Sequence, residues 1–217
     1  MSAPQHHITL YSHVAGPHGW KIIYVLRELG LDYENPHPDT TKNEHQTAEY
    51  KKLNQMGRLP TLVDHKNGDF VVWESNAIVM YLVDMYDKEK KLSVENDKDR
   101  HLLLQWMFLQ ASSQGPTFGQ ASAGFYPTEA TITPPKQQAD VRRLLGVLES
   151  VLVEREWLVG GKVTVADVSF VSALGFILGK SFDFEKEFPA VYKWHNNTCQ
   201  LPGVQFGIKE QARLLGH

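Results

Sequence analysis

The sequence predicts an α/β layered domain followed by an all-helical one, and three observations predict it. Up to about Lys90 short strand-like and helix-like segments alternate, the pattern of a βαβ layer rather than of a bundle. From Leu92 onward every strong periodicity is helical. Between the two regimes the polar and charged run from Asn96 to Arg100 reads as a linker-like step. The expected division is therefore 1–90 and 91–217.

Each element has a local reason. Ile8-Thr9-Leu10-Tyr11 reads as the first strand. After a Gly16-Pro17 turn, Ile22, Ile23, Val25, Leu26 and Leu29 recur at helical spacing and stop at Gly30, a good residue just past a helix end. Tyr33 to Pro36 predicts a second strand and Ala48 to Leu53 a short helix. Pro60 to Asp64 and Phe70 to Trp73 flank Lys66-Asn67-Gly68-Asp69, and Asn-Gly between two β-rich runs signals a hairpin. Ser75 is placed to cap a helix whose buried stripe is Ala77, Ile78, Tyr81, Leu82 and Met85. The order is β-α-β-α-β-β-α.

In the second half Leu102, Leu103, Trp106, Met107 and Leu109 make one helix, expected to bend or break near Gly115-Pro116, because proline removes a donor. Pro134-Pro135 opens the next, along which Val141, Leu144, Leu145, Leu148, Val151 and Leu152 keep helical spacing. Thr164-Val165-Ala166-Asp167 is a capping-box pattern opening an apolar helix through Val171, Leu174 and Leu178. A last helix is expected from about Pro189 to Thr198, stopped by Leu201-Pro202-Gly203.

Composition excludes several functions. With 42% apolar and 22% charged residues in 217, the chain is not of the disordered class. A net charge of −3 without a clustered basic face makes nucleic acid a poor partner. No stretch approaches the ~20 apolar residues that cross a bilayer, and the opening residues lack the apolar core of a signal peptide, so a cytoplasmic address is expected. The single Cys199 forbids an internal disulfide or a CxxC pair, so any thiol chemistry must arrive with a ligand. The ten histidines lack metal-ligand spacing, and no metal is expected.

Leu59-Pro60, Trp73-Glu74-Ser75-Asn76-Ala77-Ile78, and Leu158-Val159-Gly160-Gly161 through Thr164-Val165-Ala166-Asp167 together resemble a cytosolic glutathione transferase. Ser12-His13, Gly16-Pro17-His18-Gly19-Trp20-Lys21, Asn43-Glu44-His45 and Glu187 through Trp194 are similar to the fungal nitrogen-catabolite-regulator-like and bacterial nu-class members. The resemblance spans roughly Ile8 to Gly207. It implies a thioredoxin-like amino-terminal domain that binds glutathione, a helical domain contributing the acceptor pocket, a homodimer, and glutathione as cosubstrate in detoxification-type chemistry.

Glutathione is a tripeptide thiol with a carboxylate at each end, so its site needs two anion cradles, a strand edge between them and something that favours thiolate. Ser75 at a helix start either caps its own helix or holds the γ-glutamyl carboxylate; Glu74 is placed to accept from the γ-glutamyl ammonium. The resemblance favours the binding role and implies a cis Leu59-Pro60 bond exposing the Leu59 backbone to the cysteinyl unit. His45, Lys42 and Arg58 all carry donors for the glycyl carboxylate, and His45 matches the family position. A free thiol with a pKa of about 8.5 needs a shift of ~2 units, ~2.7 kcal/mol, to ionise near neutrality. A side-chain donor at position 18 beside a helix start supplies enough in principle. The subgroup usually has Asn there and this chain has His18; Ser12 and His13 are the alternative donors. Trp106, Gln110, Ser113, Phe118, Phe125 and Tyr126 would line the acceptor pocket, although aromatic residues at helical spacing equally read as core. The expected activity is attack of glutathione thiolate on a hydrophobic electrophile, or on a disulfide or peroxide. The alternative is a non-catalytic glutathione-binding regulator or ligand carrier, for which the long Asn-rich extension of such regulators is lacking.

Overall fold

The computed structural model describes residues 6–122, 135–175 and 183–216. They form two compact units, one of residues up to 89 together with 201–217, the other of residues 90–200.

The first unit holds a four-stranded sheet. β1 (Ile8–Tyr11), β2 (Tyr33–Glu34), β3 (Thr61–Asp64) and β4 (Phe70–Trp73) take the order β2-β1-β3-β4. β1 runs parallel to β2, with Ile8 opposite Tyr33, and antiparallel to β3, with Tyr11 opposite Thr61. β3 and β4 are the expected antiparallel hairpin. In the turn between them the Asp64 carboxylate accepts from the Lys66 and Asn67 N–H groups, and Gly68 supplies the left-handed residue at φ 66°. α1 (Pro17–Glu28), α2 (Ala48–Leu53) and α3 (Ser75–Tyr86) complete the predicted order. Gly30 ends the first helical segment at φ 66°, as its place in the pattern predicts. Ile8, Leu10, Ile22, Leu26, Leu62, Ile78 and Leu82 are fully buried and make the core. This is the thioredoxin-like layer that the resemblance implied.

Two sequence expectations need correction here. Leu201-Pro202-Gly203 does not only stop a helix, because Pro202 opens another, α10 (Pro202–Leu215), as proline suits a first helical position. α10 packs on α1, and its segment belongs to the first unit. Glycines make that packing close: a Cβ on Gly207 would lie 2.3 Å from Tyr24 Cε1, and one on Gly203 2.6 Å from the Tyr24 carbonyl oxygen. Glu28 Oε1 accepts from the Gly203 N–H, and the Arg27 guanidinium lies 4.0 Å from the centroid of Phe206. Gly207→Ala is therefore expected to cost about 1–3 kcal/mol, as overpacking against a buried ring does, read as a lower urea midpoint. The second correction is that Glu74, not Ser75, stands at the cap of α3, with φ 70°; Ser75 is the first helical residue.

The second unit is helical: α4 (Asp97–Leu109), α5 (Gly115–Ser122), α6 (Pro135–Leu152), α7 (Val165–Leu174), α8 (Phe184–Glu187) and α9 (Pro189–Thr198). The expected break is a π turn over Gln110–Gln114, immediately before Gly115-Pro116, where the proline has no N–H for the ladder. Leu103, Met107, Leu144, Leu145, Leu148, Phe170 and Trp194 fill this core. Thr164 and Asp167 form the predicted capping box, and the Asp167 carboxylate also accepts from the Leu158 N–H (2.9 Å) and Trp194 Nε1–H (2.8 Å). Leu178 lies outside the described residues.

Candidate functional site

Three chain segments of the first unit are tied together around one end of its sheet. The first is the start of α1. Gly16 caps it without a side-chain bond, and Pro17 has no N–H, so the His18 and Gly19 N–H groups begin the helix unpaired by a cap. A Cβ on Gly19 would lie 2.6 Å from Ser12 Cβ, so only glycine lets the helix start approach the end of β1 this closely. His18 is exposed as a residue, yet the protein packed around its ring lowers its pKa to about 4, helped by the Lys21 charge. At neutral pH it is an uncharged imidazole that donates from one nitrogen.

The second segment is Arg58-Leu59-Pro60. The Leu59-Pro60 peptide is cis. The Arg58 carbonyl accepts from the Tyr50 hydroxyl and from Asn54 Nδ2, both at 2.9 Å, which fixes the turn from behind. Leu59 is half-buried, and among the described residues its N–H and carbonyl have no hydrogen-bond partner. Those two groups face an extended chain as a strand edge would.

The third segment is the start of α3. The positive φ of Glu74 swings the chain out of β4, and no side chain caps the helix among the described residues. Ser75 is half-buried and Glu74 exposed. The leading N–H groups of α3 and the Ser75 hydroxyl thus present donors to an anion.

The remaining predicted residues have varied fates. Ser12 is buried, and its hydroxyl donates to Asn35 Oδ1 at 2.9 Å, so its proton is already committed. His13 Nδ1 accepts from the Ala15 N–H, which leaves its Nε2–H as a donor; burial and the neighbouring His37 and His45 lower its pKa. His45 is half-buried, with Nδ1 buried and without a partner. Arg58 is exposed, and the Lys42 ammonium pairs with Asp39 at 3.0 Å. In the second unit, Trp106 is half-buried and meets Phe170 edge-on at 6.2 Å. Gln110 and Phe118 are buried, Gln110 Nε2 donating to Gln114 Oε1. Phe125 and Tyr126 lie outside the described residues. Among those described, no group of three or more His, Cys, Asp or Glu side chains is arranged to hold a metal ion, and no helix is long and apolar enough to cross a membrane.

Sequence reasoning passed over Lys21. It lies within a helix in which every residue from Gly19 to Leu26 is buried, and its Nζ donates to Asn76 Oδ1. The signal was available: a lysine flanked by Trp20 and Ile22 in a helix apolar on all sides has no solvated face to occupy.

Comparison with known proteins bears on this arrangement. The family models for the amino-terminal and carboxy-terminal domains of glutathione S-transferases match residues 6–84 and 78–202. Glutathione S-transferase 2 of Schizosaccharomyces pombe is 41% identical, over 95% of this chain and 97% of its own. The crystal structure of glutathione transferase URE2P8 from Phanerochaete chrysosporium with oxidized glutathione superposes with a TM-score of 0.91 at 42% identity, covering 100% of both chains. That of Ure2p5 from the same fungus, cocrystallized with 1-(S-glutathionyl)-2,4-dinitrobenzene, does so at 0.88 and 40% identity, covering 99% of this chain and 98% of its own.

Proposed function

The chain belongs to the glutathione S-transferase family, and from its site we propose that His18 and the start of α1 hold the cosubstrate as thiolate for attack on an electrophile. The observation that carries this reading is the pair of helix starts without side-chain caps flanking the unpaired Leu59 backbone. Glutathione has the complementary pattern: a carboxylate, a peptide with one N–H and one C=O to pair, and a thiol. In this assignment Ser75 and the first N–H groups of α3 take the γ-glutamyl carboxylate, and Glu74 accepts from its ammonium. Leu59 pairs with the cysteinyl unit, and His45, whose buried Nδ1 lacks a partner, takes the glycyl carboxylate, with the exposed Arg58, next to Leu59, as a second donor. The sulfur then lies at His18. Ser12 supports the helix start through its contact with Gly19 rather than by donating a proton. On the acceptor side we assign Trp106 on α4, with the buried Gln110 and Phe118, to a hydrophobic electrophile.

A homodimer is part of the same reading, supported by the large apolar side chains that Phe70, Trp73 and Met85 expose on β4 and α3. The deciding experiment supplies glutathione with a dinitrophenyl halide, and separately with a glutathione mixed disulfide. Turnover of the first marks conjugation, turnover of the second marks exchange, and binding without turnover of either would establish the regulatory alternative. Within this assignment Ser75→Ala is expected to raise the KM for glutathione about tenfold, for one hydrogen bond to a charged group, and to leave kcat unchanged, because the α-carboxylate of the γ-glutamyl unit is remote from the reacting sulfur.

A further inference from the structure

Lys21 has no task in the assignment above. It is 1% exposed in the body of α1, and an ammonium in such a place is costly unless the fold uses its charge. Its surroundings show where that charge is directed. Nζ donates to Asn76 Oδ1 at 2.5 Å, and Asn76 is the second residue of α3. The Glu74 carboxylate acts on Lys21, and Lys21 in turn acts on His18. One buried cation thus stands behind both helix starts, that assigned to the sulfur and that assigned to the γ-glutamyl carboxylate.

We propose that Lys21 is the counter-ion of the glutathione site, a positioning residue that fixes the start of α3 through Asn76 and gains a proton when the anionic tripeptide binds. The proposal rests on the glutathione assignment above. Without ligand, burial holds the Lys21 pKa down at about 7, against the pull of Glu74, so near pH 8 the group is mostly neutral. The γ-glutamyl carboxylate bound at the start of α3 favours the charged form, and Lys21 must then take up protons on binding. His18, at about 4, is silent at this pH. Other ionisable groups on the packed elements point elsewhere. Arg27 and Glu28 meet α10, Tyr81 and Tyr86 donate to Asp64, and Glu210 pairs with Arg213. The imidazoles of His13, His37 and His45 form a separate group on the neighbouring turns.

The thiol of glutathione releases a proton as it ionises, so the probe is S-methylglutathione, which has no ionisable thiol and keeps both carboxylates. Calorimetric titration of the full chain at pH 8, in buffers of differing ionisation enthalpy, counts the protons. The γ-glutamyl amine of the probe also gains part of a proton when Glu74 accepts from it, so the variant is the reference: the wild type is expected to take up roughly half a proton more per ligand than Lys21→Met. Lys21→Met is expected to lose that increment and to bind about tenfold more weakly, for one lost interaction with a charged group. Methionine keeps the unbranched stem and removes a buried charge, so the thermal midpoint of this variant is expected to be no lower than that of the wild type. A lower midpoint with an unchanged proton count would make Lys21 merely structural. Binding without proton uptake, or uptake undiminished in Lys21→Met, would overturn the proposal and leave the glutathione assignment standing. A wild type that binds no S-methylglutathione would overturn both.

Discussion

Replacing His18 by alanine is expected to lower kcat/KM for glutathione conjugation at pH 6.5 between about tenfold and a hundredfold. The magnitude follows from one hydrogen bond to a charged acceptor, ~1.5–3 kcal/mol, lost where the sulfur carries its charge. The pH dependence is more specific than the size. With its pKa lowered to about 4, His18 stays neutral throughout pH 6–9, so its own titration contributes nothing there. At saturating glutathione kcat of the wild type should therefore rise about tenfold per pH unit to a plateau, with an apparent pKa belonging to the bound thiol. In His18→Ala that pKa should move up by ~1–2 units while the plateau survives, so the two proteins converge at high pH. Ultraviolet difference titration of bound glutathione reads the same shift directly. A rate that falls as pH rises past 6.5 would instead mean that a protonated His18 pairs with the thiolate. An unmoved thiol pKa would assign the activation to the helix start alone.

Asp167→Ala should be the most damaging single change to the second unit, costing about 3–5 kcal/mol and seen as a large drop in the urea midpoint. The Asp167 carboxylate is fully buried and accepts four bonds, from the Leu158 N–H, Trp194 Nε1–H, and the Thr164 N–H and hydroxyl. Truncation leaves those buried donors without an acceptor and opens a cavity beside Trp194. Asp167→Asn should cost roughly half as much, because its amide oxygen still serves two donors while its NH2 group opposes the other two. Burial raises the Asp167 pKa despite its four bonds. The folded state therefore binds a proton more readily than the unfolded chain, and this side chain's contribution to stability declines as pH rises through the interval between the two values. Asp167→Asn, which cannot titrate, should show a flatter stability profile in that interval.

Both arguments start from residues visible in the sequence, but they were visible to different degrees. Thr164 and Asp167 announced a capping box because its two partners are three residues apart, and the structure adds the Leu158 N–H and the distant Trp194 to that bond set. Asn67-Gly68 likewise announced its hairpin, and Leu59-Pro60 with Glu74-Ser75 marked the region of the candidate site. The state of each group there was not legible. His18 looked like a donor of either charge until the protein around it set its pKa. Ser12 looked free to donate until Asn35 took its proton. The burial of Lys21 could be read from its apolar neighbours, but its partner Asn76, 55 residues away, could not.

The sequence by itself determined the two kinds of architecture, the order of elements through the first unit and the motifs that identify the family. All of these depend on periodicity and on contacts a few residues apart. Only the tertiary structure decided that α10 returns to pack on α1, that Glu74 rather than Ser75 turns the chain into α3, and that a buried ammonium lies behind both helix starts. These depend on side chains brought together from distant parts of the chain, as Gly203 and Glu28 are. Burial and charge are set by everything that packs around a group, and no local pattern carries that information.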